Sequence, residues 1–197
     1  MFLKGELRDE NGNLLSDASI QLKNIRTKEN KQISVQNGEY TIAVTLDKED
    51  DILLSINKKG YAFNSTYISS NEDDFSSPKK IDFELEQLGN GKAFRLDNIY
   101  FATNSFELNN TSSEILFAFS DYLKLNNSLR LAIHGHTDNI GSASANLLLS
   151  KNRAKAVFSF LLDNGIKKDR LDFQGFGKQK PIITNETEKG RAQNRRT

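Results

Sequence analysis

The sequence predicts two domains: an N-terminal all-β sandwich of about seven short strands, then a C-terminal α/β unit. Three observations carry this. Apolar and polar residues alternate through much of the first half, the period of a half-buried strand. A short polar, glycine-bearing stretch, Gln87-Leu88-Gly89-Asn90-Gly91-Lys92, then interrupts the pattern. Beyond it apolar residues recur at helical spacing, with strand-like runs between the helices. The predicted division is residues 1–88, a joint at 89–93, and residues 94–197.

Seven runs read as strands in the first part: LKGEL (3–7), ASIQLK (18–23), KQISV (31–35), EYTIAV (39–44), DILLSIN (51–57), STYIS (65–69) and KIDFEL (80–85). Asn11-Gly12, Asn37-Gly38, Lys59-Gly60 and Ser77-Pro78 supply turns between them. The acidic run Asp47 to Asp51 reads as a solvated loop rather than a calcium site, because no EF-hand spacing follows.

In the second part Leu96 to Phe101 reads as a strand. Thr111-Ser112-Ser113-Glu114 has the form of a capping box, with Thr111 as the cap. Leu116, Phe119 and Leu123 follow at helical spacing, and Asn126-Asn127 closes that helix. Ser128 to His136 is the next strand, with Leu129, Leu131 and Ile133 on one face. A long helix covers about 143 to 164 and ends at Gly165. Leu171 to Gly175 is a further strand, and Thr187 to Gln193 a short helix.

Composition narrows the chemistry. The chain has 27 basic and 26 acidic residues, a balance that argues against nucleic acid as the main partner. It has no Cys, which excludes disulfides, thiolate zinc sites and cysteine nucleophiles. No apolar run is long enough to span a membrane. The N-terminus, MFLKGELRDENG, has no apolar signal core, so an exported protein would carry this chain as a mature fragment. No Gly-x-Ser-x-Gly elbow occurs.

The stretch HGHTDNIG, residues 134–141, offers two chemistries. His134, His136 and Asp138 share a strand face and could open a metal site for a hydrolase. Against this, the chain has only 2 His, and a catalytic zinc wants three protein ligands. The alternative is recognition. Asn146, Ser150 and Arg153 form a narrow stripe on the long helix, bordering an apolar face of Leu147, Ala154, Phe158 and Leu161. A strand-end Asp138 facing Arg153 could grip a zwitterion, the carboxylate taking an ammonium and the guanidinium a carboxylate. The same two residues could equally pair with each other.

The first part resembles carboxypeptidase regulatory-like, or transthyretin-like, sandwich modules. The residues that carry this are Gly5-x-Leu7, Asp9 to Gly12, Ala18-Ser19-Ile20, Asn37-Gly38-Glu39-Tyr40 and Lys59-Gly60-Tyr61. The resemblance implies a spacer, or a module that contacts another protein.

Residues 94–197 resemble the OmpA-like domain shared with the MotB stator proteins. The motifs run in family order: Asn98-Ile99-Tyr100-Phe101, Thr103-Asn104-Ser105, Gly135-His136-Thr137-Asp138-Asn139 with Gly141, Asn146, Leu149-Ser150 and Arg153-Ala154. Gly165-Ile166, Arg170-Leu171, Gly175-Phe176-Gly177, Pro181-Ile182, Asn185-x-Thr187 and Gly190-Arg191-Ala192-x-Asn194-Arg195-Arg196 complete the series. The resemblance implies a βαβαβ core with a mixed sheet. It also implies a non-enzymatic, cofactor-free domain that binds the diaminopimelate of peptidoglycan stem peptides. Such a domain would tether an outer-membrane protein to the wall in the periplasm. Asp138 and Arg153 would grip the amine and carboxylate. Thr137, Asn139, Asn146 and Asn104 would add hydrogen bonds, with Arg195 near the same pocket. A protein-interaction domain that has lost wall binding is the other reading within the family.

The sequence departs from the family pattern at three places. Ala102 stands where Asp is common, and Phe176 where Tyr is usual. The sequence stops at Thr197, before the acid and closing strand that normally follow Asn-Arg-Arg.

Overall fold

The computed structural model describes residues 2–47, 49–69, 77–96, 99–101 and 105–197. The chain falls into two compact units, Met1–Asp97 and Asn98–Thr197.

The first unit is built from strands β1 (Phe2–Asp9), β2 (Ala18–Asn24), β3 (Asn30–Val35), β4 (Glu39–Ala43), β5 (Ile52–Asn57), β6 (Asn64–Ile68), β7 (Lys79–Lys80) and β8 (Phe83–Leu85). One sheet runs β3-β2-β5-β6, antiparallel throughout. In the other, β1 pairs antiparallel with β4 and parallel with β7 and β8. Alternate residues of both sheets, among them Leu3, Leu7, Ile20, Ile42, Leu54 and Phe83, meet in one buried core. That shared core follows from the two-residue period, which sends these apolar side chains to the inner face of each sheet.

The predicted strand 80–85 divides into two, and the cause is local. Between β7 and β8 the Asp82 carboxylate, not a backbone carbonyl, accepts from the Glu6 N–H at 2.9 Å. The Ile81 carbonyl turns onto Gly5, where a Cβ would lie 1.8 Å from its oxygen, and accepts from the Tyr40 hydroxyl at 2.6 Å. Only glycine permits that approach.

The acidic run is a solvated loop at Asp47 and Glu49, which are exposed, but not at its end. Asp50 is buried, accepting from Arg26 Nε at 2.6 Å and from the Asp47 N–H at 2.9 Å. The Arg26 side chain, then that backbone donor, hold its carboxyl below the usual carboxylate range. Asp51 accepts from the Tyr67 hydroxyl. These carboxylates staple loops to strands.

The second unit contains α1 (Asn110–Leu125), β9 (Leu131–Gly135), α2 (Ala143–Asp163), β10 (Leu171–Gly175) and α3 (Glu188–Asn194). β9 and β10 pair in parallel, from Leu131↔Leu171 to Gly135↔Gly175. Ile115, Leu116, Phe119 and Leu123 of α1 and Ala154, Val157 and Leu161 of α2 are buried. Arg170 fastens the α1–β9 turn, donating to the carbonyls of Leu129, Leu123 and Asn126 at 2.8, 3.0 and 3.0 Å.

Four expectations are corrected here. The cap of α1 is Asn109, whose side chain accepts from the Ser112 N–H at 2.8 Å; Thr111 lies within the helix. No strand forms over the described residues of 96–101, apart from a single antiparallel bridge between Phe101 and Leu108. Ser112 explains this, because its hydroxyl donates to the Tyr100 carbonyl at 3.0 Å and accepts from the Tyr100 N–H at 2.8 Å. The backbone groups a ladder would use are thus tied to the first turn of α1. The sheet of this unit, among the described residues, is therefore two parallel strands rather than the mixed sheet of a βαβαβ core. Finally, Leu147 is 46% exposed and does not join the apolar face of α2, which centres on Ala154, Val157 and Leu161.

Candidate functional site

β9 ends at Gly135, and the chain leaves the sheet through His136, Thr137 and Asp138. Backbone bonds fix this exit. The His136 N–H donates to the Arg196 carbonyl at 2.9 Å and the Thr137 N–H to the Gly177 carbonyl at 3.0 Å. The Thr137 hydroxyl donates to the Asp138 carbonyl at 2.9 Å. Asp138 then folds back on its own loop, its Oδ1 accepting from the Ile140 N–H at 3.0 Å. That turn is what an aspartate two residues before a free N–H tends to make.

The helix side is equally constrained. Ser142 caps α2, accepting from the Ala145 N–H at 3.2 Å. Asn146, one turn in, donates to the Ile140 carbonyl at 2.9 Å and more weakly to that of Asp138 at 3.5 Å. Ser150 accepts from the Gly177 N–H at 2.8 Å, which binds the loop after β10 to α2. Arg153, one turn further, is buried, with its Nε donating to the Ser105 carbonyl at 3.0 Å and its guanidinium 5.1 Å from the Phe101 ring centroid. Burial, then the charge of Arg195, lower its proton affinity, while Asp138 opposes them. Arg153 is thus close enough to feel both groups.

The partner of Asp138 is Arg195. Arg195 Nη1 donates to Asp138 Oδ2 at 2.8 Å, and Nη2 to Glu188 Oε1 at 2.8 Å. The Asp138 side chain is 12% exposed and that of Arg195 37%. These bonds, to Asp138 first and then Glu188, raise the Arg195 proton affinity above its usual value. Arg195 reaches this position because Asn194, fully buried, anchors the end of α3. Its Oδ1 accepts from the Ile182 N–H at 2.8 Å, and its Nδ2 donates to the Ile183 carbonyl and Asn185 Oδ1 at 2.9 Å each.

Of the residues picked out in the sequence, Asp138, Thr137, Asn146 and Arg195 come together around the β9–α2 loop, while Arg153, further along α2, contacts Ser105 and Phe101. Asn139 is exposed on that loop, and Asn104 lies outside the described residues. Asp138 pairs with Arg195 and not with Arg153. Asn194, Glu188 and Ser150 also shape the site. Asn194 lies inside one of the motifs, but nothing in periodicity marks a buried amide as an anchor. Glu188 opens α3 in the sequence and reads there only as a favourable first-turn acid.

The histidines turn elsewhere. His136 stacks on Phe176 with ring centroids 5.4 Å apart, and His134 meets the same ring edge-on at 4.9 Å. Among the described residues, no three His, Asp or Glu side chains gather as metal ligands. The carboxylate that the metal reading needs is already engaged by a guanidinium.

Comparison with known proteins bears on this unit. Residues 100–195 match the OmpA family. The peptidoglycan-binding protein ArfA of Mycobacterium tuberculosis is 40% identical over 98 residues, covering 50% of this chain and 30% of ArfA. The peptidoglycan-associated lipoprotein of Pseudomonas aeruginosa is 33% identical over 101 residues, covering 51% of this chain and 60% of that protein. The crystal structure of the peptidoglycan-associated lipoprotein from Burkholderia pseudomallei shares 32% identity, covers 50% of this chain and 83% of that one, and superposes with a TM-score of 0.47. The chain thus spans less than two thirds of these curated relatives. Residues 100–195 are an OmpA-like domain of the OmpA family.

Proposed function

We propose that the C-terminal unit binds peptidoglycan non-covalently, gripping the diaminopimelate of a stem peptide, and so holds an outer-membrane protein to the wall in the periplasm. One observation carries the reading: Asp138 and Arg153, opposite in charge, are both buried and both fixed by backbone contacts, Asp138 by the Ile140 N–H and Arg153 by the Ser105 carbonyl. Burying charge is costly unless each ion is compensated, so a pair held in this way suits a ligand that brings both signs. Asp138 Oδ2 accepts from Arg195, and an ammonium can take that oxygen in exchange for the guanidinium. Arg153 is the guanidinium proposed to meet the ligand's carboxylate. Thr137 and Asn146 hold the loop in position, and Asn139 and Asn104 are proposed as further ligand contacts. The relatives ArfA, a peptidoglycan-binding protein, and the peptidoglycan-associated lipoprotein support the peptidoglycan part of this reading.

The binding is non-enzymatic and uses no cofactor. The N-terminal unit, residues 1–88, acts as a carboxypeptidase regulatory-like spacer or contacts another protein. The joint is 89–93, and the wall-binding domain is 94–197. No helix among the described residues is long and apolar enough to cross a membrane.

The test is a sacculus pull-down, with calorimetric titration of a diaminopimelate-containing stem peptide, on the wild type, Asp138→Ala and Arg153→Ala. Removing one member of a buried charge constellation costs about 2–5 kcal/mol of binding, so affinity should fall by at least about thirtyfold in each variant. Circular dichroism must show both variants folded. Equal binding by all three proteins would overturn the assignment.

A further inference from the structure

We propose that Arg195 is a specificity-determining residue: its guanidinium occupies Asp138 in the unliganded site, so that only a group carrying an ammonium and a carboxylate together can take its place. This rests on the stem-peptide reading above and adds to it the rule by which one diamino acid is chosen over another.

The physical basis is charge balance. Asp138 Oδ1 is committed to the Ile140 N–H, and Oδ2 faces Arg195 at 2.8 Å. This buried carboxylate is therefore already paired with a guanidinium, that of Arg195. Glu188 also holds Arg195, but its side chain is 67% exposed and water screens it. An incoming ammonium with no carboxylate, such as a lysine side chain, must compete with Arg195 for Asp138. It leaves two cations, the ammonium and Arg195, sharing one buried anion, which is the costly case. A zwitterionic group brings no net charge. Its ammonium takes Asp138, its carboxylate takes the guanidiniums, and every buried charge keeps a partner.

Arg195 can make this exchange because it has a second anchor. Its Nη2 already holds Glu188, two turns earlier along α3, and Glu188 is itself steadied by Arg191 Nε at 3.0 Å. When a ligand takes Asp138, Arg195 swings toward Glu188 and the ligand carboxylate without giving up that bond. Diaminopimelate and lysine differ by the one carboxylate that this exchange requires.

The experiment titrates the full chain with two synthetic stem peptides that differ only in carrying diaminopimelate or lysine. Wild type should prefer the diaminopimelate peptide by about tenfold or more. Arg195→Gln should bind the lysine peptide more tightly than wild type does, and the preference should shrink to about threefold or less. An unchanged preference in a folded Arg195→Gln protein overturns the proposal and leaves the stem-peptide reading standing. Wild type binding neither peptide overturns both. If Arg195→Gln does not fold, Glu188→Gln gives the reading. Losing the second anchor should weaken the diaminopimelate peptide about two- to fivefold, and no change would sink the exchange.

Discussion

Gly135 of β9 lies so close to Ser150 of α2 that a Cβ on Gly135 would sit 2.1 Å from the Ser150 carbonyl oxygen. Its ladder partner Gly175 is as tight, with a virtual Cβ 2.3 Å from the Lys151 nitrogen. The paired glycines let α2 rest directly on the sheet. Asp138 follows Gly135 by three residues, and Arg153 follows Ser150 by three, so this contact sets the spacing across the site. Gly135→Ala must push the helix away. The expected cost is at least about 1–3 kcal/mol in urea unfolding, with weaker sacculus binding in the protein that remains folded. Wild-type stability in Gly135→Ala would show that the helix does not seat on the strand as described.

Asn146 is the brace between helix and loop, and its amide donates to the Ile140 carbonyl. Asn146→Ala removes one hydrogen bond, about 1 kcal/mol, and releases the turn that aims Asp138. Asn146→Asp should bind ligand less well than Asn146→Ala, because a carboxylate cannot donate and faces a carbonyl oxygen. Peptide titration of the two variants beside wild type checks the order. Binding by Asn146→Asp equal to wild type would mean the amide bond does not position the loop.

Much of this was legible in the sequence wherever a local rule governs. The span of α2 and the whole of β10 follow from periodicity, and the stripe of Asn146, Ser150 and Arg153 follows from helical spacing alone. What was not legible depends on distant partners. The capping box points to Thr111, but the cap of α1 is Asn109, whose side chain takes the Ser112 N–H while the Ser112 hydroxyl holds Tyr100. The Asp138–Arg195 pair joins residues 57 apart, a distance at which no periodicity speaks. Asp50 reads as a loop acid until Arg26 arrives from another turn, and KIDFEL reads as one strand until the Ile81 carbonyl meets Gly5.

His136 gives the fold a dependence on acid. Burial, and then the charges of Arg196, His134 and Lys180, push its pKa down to about 4 from the ordinary 6.5. Its ring is stacked on Phe176, and its Nδ1 is buried with no hydrogen-bond partner among the described residues, so a proton there has no acceptor to meet. The folded state therefore keeps the ring neutral at a pH where the unfolded chain has already bound a proton. Above pH 6.5 both states are neutral and this group adds no pH dependence. As pH falls from 6.5 toward 4, the unfolded state alone takes up the proton and stability declines; below that both are charged and the loss is constant. The loss should reach about 1–3 kcal/mol, because each tenfold drop in proton affinity on folding is worth about 1.4 kcal/mol. Carboxylates titrate in the same range, so the measurement is a difference: urea unfolding at about pH 7.5 and about pH 4.5 for wild type and His136→Gln. The variant should lose less stability on acidification than wild type. Parallel losses in the two proteins would show that His136 is protonated in the folded state as readily as in the unfolded chain.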